Sequence, residues 1–454
     1  MKNRFLFITV LLNLLFQPIL FSQNTDSRKE FERLKMLQKY GDFALAAECA
    51  EGIFESGPED LQQYIHNTLV LDLKKSDTKN SATSLLNELY KRKNTDLKRV
   101  IVPLYYYNLF LSTTKTDSLD LLLKEYIAKM DKTDNFQAKT ELYSLLILKR
   151  LLKVEYPLNE LTHTVLTRSV ENLKKFREID SKKVSDRDIL LRRTWYRYIL
   201  SNLYYFEYKN SSPTNETAIR NAFIYSSDEL DMKYGYKFLI DNSLLWTSNR
   251  HLGFESEYAD FLLQKGDKKQ ALEVLTQKAI LMPSRQNIQK LKDLFQELIS
   301  DIAFPTYWLN NIEKYYKPVI SFSFNTLDNQ KIKLADLKGS WVYLDVWGTW
   351  CGPCRSDLPN VQAFYDEIKK NEKSQLNMFT LSSNSSDLED FMKNNKYTFP
   401  VAEIGRNETS ILNVQYFPSR FLITPQGNLI TVPFGFNWRE LVTNFYQTAI
   451  PEIN

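Results

Sequence analysis

Residues 345–359 read DVWGTWCGPCRSDLP. Two of the chain's three cysteines, Cys351 and Cys354, stand here with Gly352 and Pro353 between them, and Trp347 and Trp350 flank a small Gly-Thr pair just ahead. Thiols at this spacing can hold a metal, close a local disulfide or exchange electrons. A structural zinc site usually takes four Cys or His ligands. Only Cys49, His66, His163 and His251 remain, all far from the pair in sequence, so the metal reading lacks ligands. A purely structural bridge across so short a loop removes little entropy from the unfolded chain. Electron exchange needs a thiolate at working pH and a second thiol within reach. The apolar run 341–344 predicts a buried strand, and helical spacing begins at the cysteines. Cys351 then falls at a helix N-terminus, where unpaired N–H groups and the helix dipole favour the thiolate. Pro353 suits the first helical turn because it has no N–H to leave unpaired. Cys354 can close a small ring or resolve a mixed disulfide.

Outward from this point, residues 317–454 carry an α/β pattern. Val319, Ile320, Phe322 and Phe324 predict a strand, Asp328-Asn329 a turn, and Ile332 and Leu334 a second strand. The helix at the cysteines should run to about residue 372. A strand at 378–381, a helix over 386–395, a strand at 421–423, a turn at Pro425-Gln426-Gly427, a strand over 429–432 and a last helix near 438–448 follow. Strand–helix–strand, then a hairpin and a helix, predicts a mixed sheet covered on both faces.

Residues 23–316 differ. Glycine is sparse, Leu, Lys, Glu and Tyr abound, and apolar residues recur at helical spacing, as in Leu85-Leu86-Leu89-Tyr90 and Leu142-Leu145-Leu146-Leu148. About ten to fourteen helices are expected from mean helix lengths. Two segments match each other: Gly41, Ala46 and Pro58 fall at the same relative positions as Gly266, Ala271 and Pro283. Such a pattern predicts helical hairpins in which glycine ends one helix, alanine lets the next pack closely and proline stops it. Those two segments resemble the second half of a tetratricopeptide repeat.

The first residues, MKNRFLFITVLLNLLFQPILFSQN, have a positive start, an apolar core and a small residue, Ser22, near its end. That layout predicts a secretory signal peptide over 1–22; its apolar core is shorter than the roughly 20 residues of a membrane span. Its removal takes the net charge from +4 to +2, too weak a bias to suggest nucleic acid as a partner. Three cysteines are too few for a disulfide scaffold in a secreted chain. Cys49, among Ala46, Ala47 and Ala50, reads as a buried small hydrophobe.

Residues 317–454 resemble the thioredoxin-fold TlpA/ResA-like thiol–disulfide oxidoreductases, on the run Trp350-Cys351-Gly352-Pro353-Cys354, on Pro359 in the active-site helix and on Phe417-Pro418-Ser419 ahead of a strand. With the helical pattern ahead of it, the chain is expected to be multidomain, N-terminal all-α (with TPR-like helical hairpins) and C-terminal α/β with a thioredoxin-like fold. The resemblance implies Cys351 as nucleophile and Cys354 as resolving thiol, with a redox-active disulfide and no metal, flavin or nucleotide. Trp350, Gly352, Pro353, Phe417 and Pro418 are the expected substrate contacts, Pro418 in cis, and Trp347 is either rim or core. Asp345 matches the buried aspartate of thioredoxins, and its apolar neighbours Leu344 and Val346 should raise its pKa. Asp357 stands where ResA-like proteins place a glutamate. The expected partners are exported cysteine-containing proteins, apocytochromes among them, and a membrane electron donor. Localisation is expected to be periplasmic. The alternatives are a net disulfide oxidant or isomerase, and a helical protein-binding scaffold with an accessory thioredoxin-like domain.

Overall fold

The computed structural model describes residues 25–130, 140–176, 187–210, 215–228, 230–231, 253–371, 374–414, 416–433 and 436–450. The expected signal peptide and His251 lie outside them. The described residues up to Tyr225 form one compact unit and those from Ser226 onward a second.

The first unit is helical: α1 (Thr25–Tyr40), α2 (Phe43–Ser56), α3 (Pro58–Tyr64), α4 (Val70–Asp72), α5 (Lys79–Lys91) and α6 (Thr95–Ser112). Then come α7 (Thr116–Met130), α8 (Thr140–Lys153), α9 (Glu160–Lys174), α10 (Arg187–Asn210) and α11 (Glu216–Ile224). The predicted stripes are buried, Leu85, Leu86 and Leu89 on α5 and Leu142, Leu145, Leu146 and Leu148 on α8. The second unit opens with α12 (Glu255–Gln264), α13 (Lys268–Leu281), α14 (Arg285–Leu298) and α15 (Phe304–Tyr315).

Both matched segments form the predicted hairpins, α1–α2 and α12–α13, with the same turn. Gly41 and Gly266 sit at φ +81° and +82°, the left-handed region where glycine escapes the Cβ penalty. The next residue caps the second helix: the Asp42 carboxylate accepts from Leu45 N–H and Asp267 from Gln270 N–H. Ala46 and Ala271 are wholly buried at the close approach.

After α15 the chain enters a six-stranded mixed sheet of order β1-β8-β7-β4-β5-β6. Its strands are β1 (Lys317–Pro318), β4 (Trp341–Trp347), β5 (Leu376–Ser383), β6 (Val401–Ile404), β7 (Ser419–Ile423) and β8 (Asn428–Val432); β2 (Ser323–Asn325) and β3 (Lys331–Lys333) form a separate hairpin. Central β4 runs parallel to β5 and antiparallel to β7. The helices are α16 (Gly352–Lys370), α17 (Leu388–Asn395), α18 (Arg406–Ile411) and α19 (Trp438–Thr448). The sheet differs from the prediction at both edges. The predicted strand over 319–324 does not form as one: β1 ends at Pro318, β2 starts at Ser323, and Ile320 between them is exposed. The pattern missed β6 and α18, each too short for a clear period.

Helices α12–α15 pack into the same unit as the sheet. Buried Trp308 of α15 donates its indole N–H to Phe445 O of α19 at 3.1 Å, and Asn444 Nδ2 donates to Pro283 O at 2.6 Å. Glu313 on α15 accepts from Thr424 Oγ1, Gln426 N–H and Asn428 Nδ2, which ties the β7–β8 turn to that helix.

Candidate active site

All seven residues of β4 are buried, and they alternate between two faces. Val342, Leu344 and Val346 enter an apolar cluster with Leu381, Ala402, Phe421 and Ile423. Tyr343, Asp345 and Trp347 point the other way. There Tyr343 meets Phe364 of α16 and stacks on Trp438 of α19, and Trp347 meets Phe391 of α17. Leu344 and Val346 therefore do not surround Asp345, contrary to the reading from sequence neighbours. Trp347 is wholly buried, so it belongs to the core and not to the rim.

The chain leaves β4 through Gly348 and Thr349. Thr349 N–H donates to Ser385 Oγ, and Trp350 Nε1–H donates to Ser383 O at 2.9 Å. The Trp350 ring packs edge-on against Phe417, with centroids 4.9 Å apart, and is 55% exposed. A Cβ on Gly348 would lie 2.5 Å from Trp350 Nε1 and 3.1 Å from the Ser383 carbonyl. Gly348→Ala is thus expected to swing the indole off that carbonyl, red-shifting its fluorescence, while the melting temperature falls by only a few degrees. An unchanged emission spectrum would contradict this placement.

Cys351 is the N-cap of α16, and its Sγ accepts from Cys354 N–H at 3.2 Å. The two cysteines form a disulfide with S–S 2.03 Å. Cys351 is 5% exposed and Cys354 2%, while Gly352 and Pro353 are open to solvent. Pro359 lies within α16. The Phe417–Pro418 peptide is cis; Pro418 is buried and Phe417 half-buried. Arg355 is exposed. Cys49 is buried in the first unit, and burial first, then Glu30, pushes its thiol up to about 11. His66 is buried with Nδ1 2.7 Å from the Tyr143 hydroxyl. Among the described residues no group of three His, Cys, Asp or Glu side chains is placed to hold a metal ion.

Arg420, on β7 two residues after Pro418, belongs to no motif of the sequence reading and joins both candidate carboxylates. It stands opposite Asp345 in the β4–β7 register, donates from Nε to Asp345 Oδ2 at 3.2 Å and from Nη2 to Asp357 Oδ2. Trp438 completes the cluster: its ring lies 4.7 Å from the guanidinium carbon, and its Nε1–H donates to Asp357 Oδ2 at 2.9 Å. Burial holds the Asp345 carboxyl above the usual carboxylate range, and the Arg420 guanidinium pulls it part of the way back. A lone arginine in a run of apolar strand residues was the available signal, because a charge on an internal strand requires a partner.

A mixed sheet of this order, with a Cys-Gly-Pro-Cys disulfide at the N-terminus of the helix after its central strand and a cis-proline immediately before the neighbouring strand β7, defines a thioredoxin-fold thiol–disulfide oxidoreductase. Residues 316–432 match the AhpC/TSA family. The thiol-disulfide oxidoreductase ResA of Bacillus cereus is 30% identical over 138 residues, 30% of this chain and 78% of that protein. ResA of Bacillus subtilis is 27% identical over 132 residues, 29% of this chain and 73% of that protein. The crystal structure of StoA from Bacillus subtilis aligns with 28% of this chain and 96% of its own, at 26% identity and a TM-score of 0.25. The chain belongs to the ResA family of thiol–disulfide oxidoreductases.

Proposed function

We propose that the chain is an extracytoplasmic reductase of disulfides in exported cysteine-containing proteins, acting through Cys351 and Cys354. One observation carries this reading: the cysteine pair caps α16 beside an exposed aromatic surface of Trp350 and Phe417, next to a cis-proline. In the reduced state the α16 N-terminus favours the Cys351 thiolate. That thiolate attacks a substrate disulfide, forming a Cys351–substrate bond and expelling the other substrate sulfur as a thiolate. Phe417 offers its backbone to the bound segment as an added strand, and Gly352 and Pro353 leave the approach open. Cys354 then gives its proton to Asp345 and attacks Cys351. The intramolecular disulfide closes, and the second substrate sulfur leaves with the electron pair of the broken bond. Two electrons pass to the substrate, and a membrane dithiol restores the pair, since such compartments hold no reducing thiol pool. The pair itself is the redox group, with no metal, flavin or nucleotide. Residues 1–22 serve as a cleaved signal peptide delivering the chain to the periplasm, residues 23–316 as the recognition or docking part, and 317–454 as the catalytic domain. Among the described residues no helix is long and apolar enough to cross a membrane.

The test is the reduction potential of the Cys351–Cys354 pair, followed through tryptophan fluorescence. A two-electron transition near about −270 mV is expected for a reductase. One near about −120 mV would make the chain an oxidant, and the absence of a reversible transition would remove the catalytic reading.

A further inference from the structure

The two acids beside the disulfide are not equivalent, and the difference lies in how Arg420 and its neighbours occupy their oxygens. Asp357 has its acceptor atoms occupied: Oδ2 takes Arg420 and Trp438, and Oδ1 takes Asn360 Nδ2 at 2.6 Å. Asp345 is different. Its Oδ2 accepts from Arg420 Nε and, at 3.4 Å, from the Tyr343 hydroxyl. Its Oδ1 is buried without a hydrogen-bond partner among the described residues. So is the hydroxyl of Thr380, the residue paired with Asp345 across β4–β5, and both side chains project from the same face.

We propose that Arg420 is a positioning residue of the redox site, which ties the active-site helix to the cis-proline strand through Asp357 and leaves Oδ1 of Asp345 as the oxygen that exchanges the Cys354 proton. The geometry favours this role in three ways. Asp357 lies three residues after Cys354, one turn along the same face of α16, so holding Asp357 holds that face against β7. Arg420 stands two residues beyond Pro418, so a single side chain links the substrate-facing strand, the helix of the resolving cysteine and the buried acid. Two donors at fixed separation reach two carboxylates on different elements, which the point charge of a lysine does poorly. The stacked Trp438 ring fixes the guanidinium plane.

The inference rests on the reading of Asp345 as proton acceptor, and one experiment separates the two. The charged and titratable groups acting on Asp345 are Arg420 of β7, Asp357 of α16 and Tyr343 of its own strand; α19 presents Trp438, and β5 presents Thr380. In oxidised full-length protein carrying 13C-labelled aspartate, the Asp345 carboxyl signal, assigned by Asp345→Asn, is titrated in wild type, Arg420→Gln, Arg420→Lys and Asp357→Asn. The pH–rate profile of disulfide reduction is recorded beside it. Loss of the opposite charge in Arg420→Gln should raise the Asp345 midpoint by about one pH unit or more. Arg420→Lys should raise it less, and Asp357→Asn, which removes a like charge, should lower it. Opposite signs distinguish the clamp from loosened packing, which would move both variants alike and overturn the proposal. Coincident midpoints in wild type and Arg420→Gln overturn it too, leaving the Asp345 reading intact provided Asp345→Asn still abolishes the inflection in the rate profile. If Asp345→Asn leaves that profile unchanged, both fall. Should Arg420→Gln fail to fold, the sign of the Asp357→Asn shift decides: an unchanged or raised midpoint overturns the clamp.

Discussion

Replacing Cys351 with serine is expected to bring catalysed disulfide exchange down to background, a loss of roughly a thousandfold or more, the scale on which removal of a covalent nucleophile acts. Cys351 rather than Cys354 should be the attacking thiol because of where each stands. Cys351 is the N-cap of α16, outside the helix and directly before the unpaired N–H groups, and its sulfur already accepts from Cys354 N–H. Cys354 is a full turn inside and more deeply buried. A serine hydroxyl at the cap keeps the hydrogen bond to the helix end and is a good capping group, so the variant should fold normally while losing a thiolate. Cys354→Ser has a different expected result. Its Cys351 still attacks but cannot be released, so a mixed disulfide with a model substrate should accumulate and appear as a mass increment lost on treatment with dithiothreitol. Retained turnover in Cys351→Ser, or an adduct on Cys354 in its place, would reverse the assignment.

The second large effect lies outside the segment that matches known oxidoreductases. Trp308→Ala is expected to destabilise the unit containing the sheet by about 3–5 kcal/mol, the usual range for removing a buried tryptophan. The indole is wholly buried on α15, stacks at 6.1 Å on Phe445 of α19 and donates to that residue's carbonyl. Truncation leaves a cavity and an unpaired buried acceptor together. Hydrogen exchange measured in the full chain should show the β4, β5 and β7 amides opening more readily by that amount, with Trp308→Phe costing markedly less. Unchanged protection of those amides would mean that α15 merely abuts the sheet.

The sequence was most legible where local chemistry and local structure coincide. The Cys-Gly-Pro-Cys tetrad lies at a strand-to-helix junction because an apolar run precedes it and Pro353 fits a first helical turn. Glycine and alanine spacing located both hairpins because a left-handed turn and a close helix approach demand those residues. What escaped notice depends on residues distant in sequence. Arg420 lies in an otherwise apolar run, and its partners Asp345 and Asp357 are 75 and 63 positions away. Leu344 and Val346 adjoin Asp345 along the chain, but alternation along a strand sends them to the opposite face. The change of pattern near Lys317 marks where strands begin. It says nothing of how α12–α15 pack, because amphipathic helices look alike whether they cover a sheet or one another.

The third cysteine has a practical consequence for counting. Cys49 is buried, its sulfur 3.5 Å from both the backbone carbonyl and a carboxylate oxygen of Glu30, with its thiol pushed up to about 11. At neutral pH it is almost entirely protonated, and a thiol, unlike a thiolate, reacts slowly with alkylating agents and with stray disulfides alike. A mass-tagging census of the native protein should therefore leave Cys49 out, with no tag when the pair is oxidised and tags on Cys351 and Cys354 alone when it is reduced. A third tag on the reduced protein would then be a direct report that the helical unit has opened.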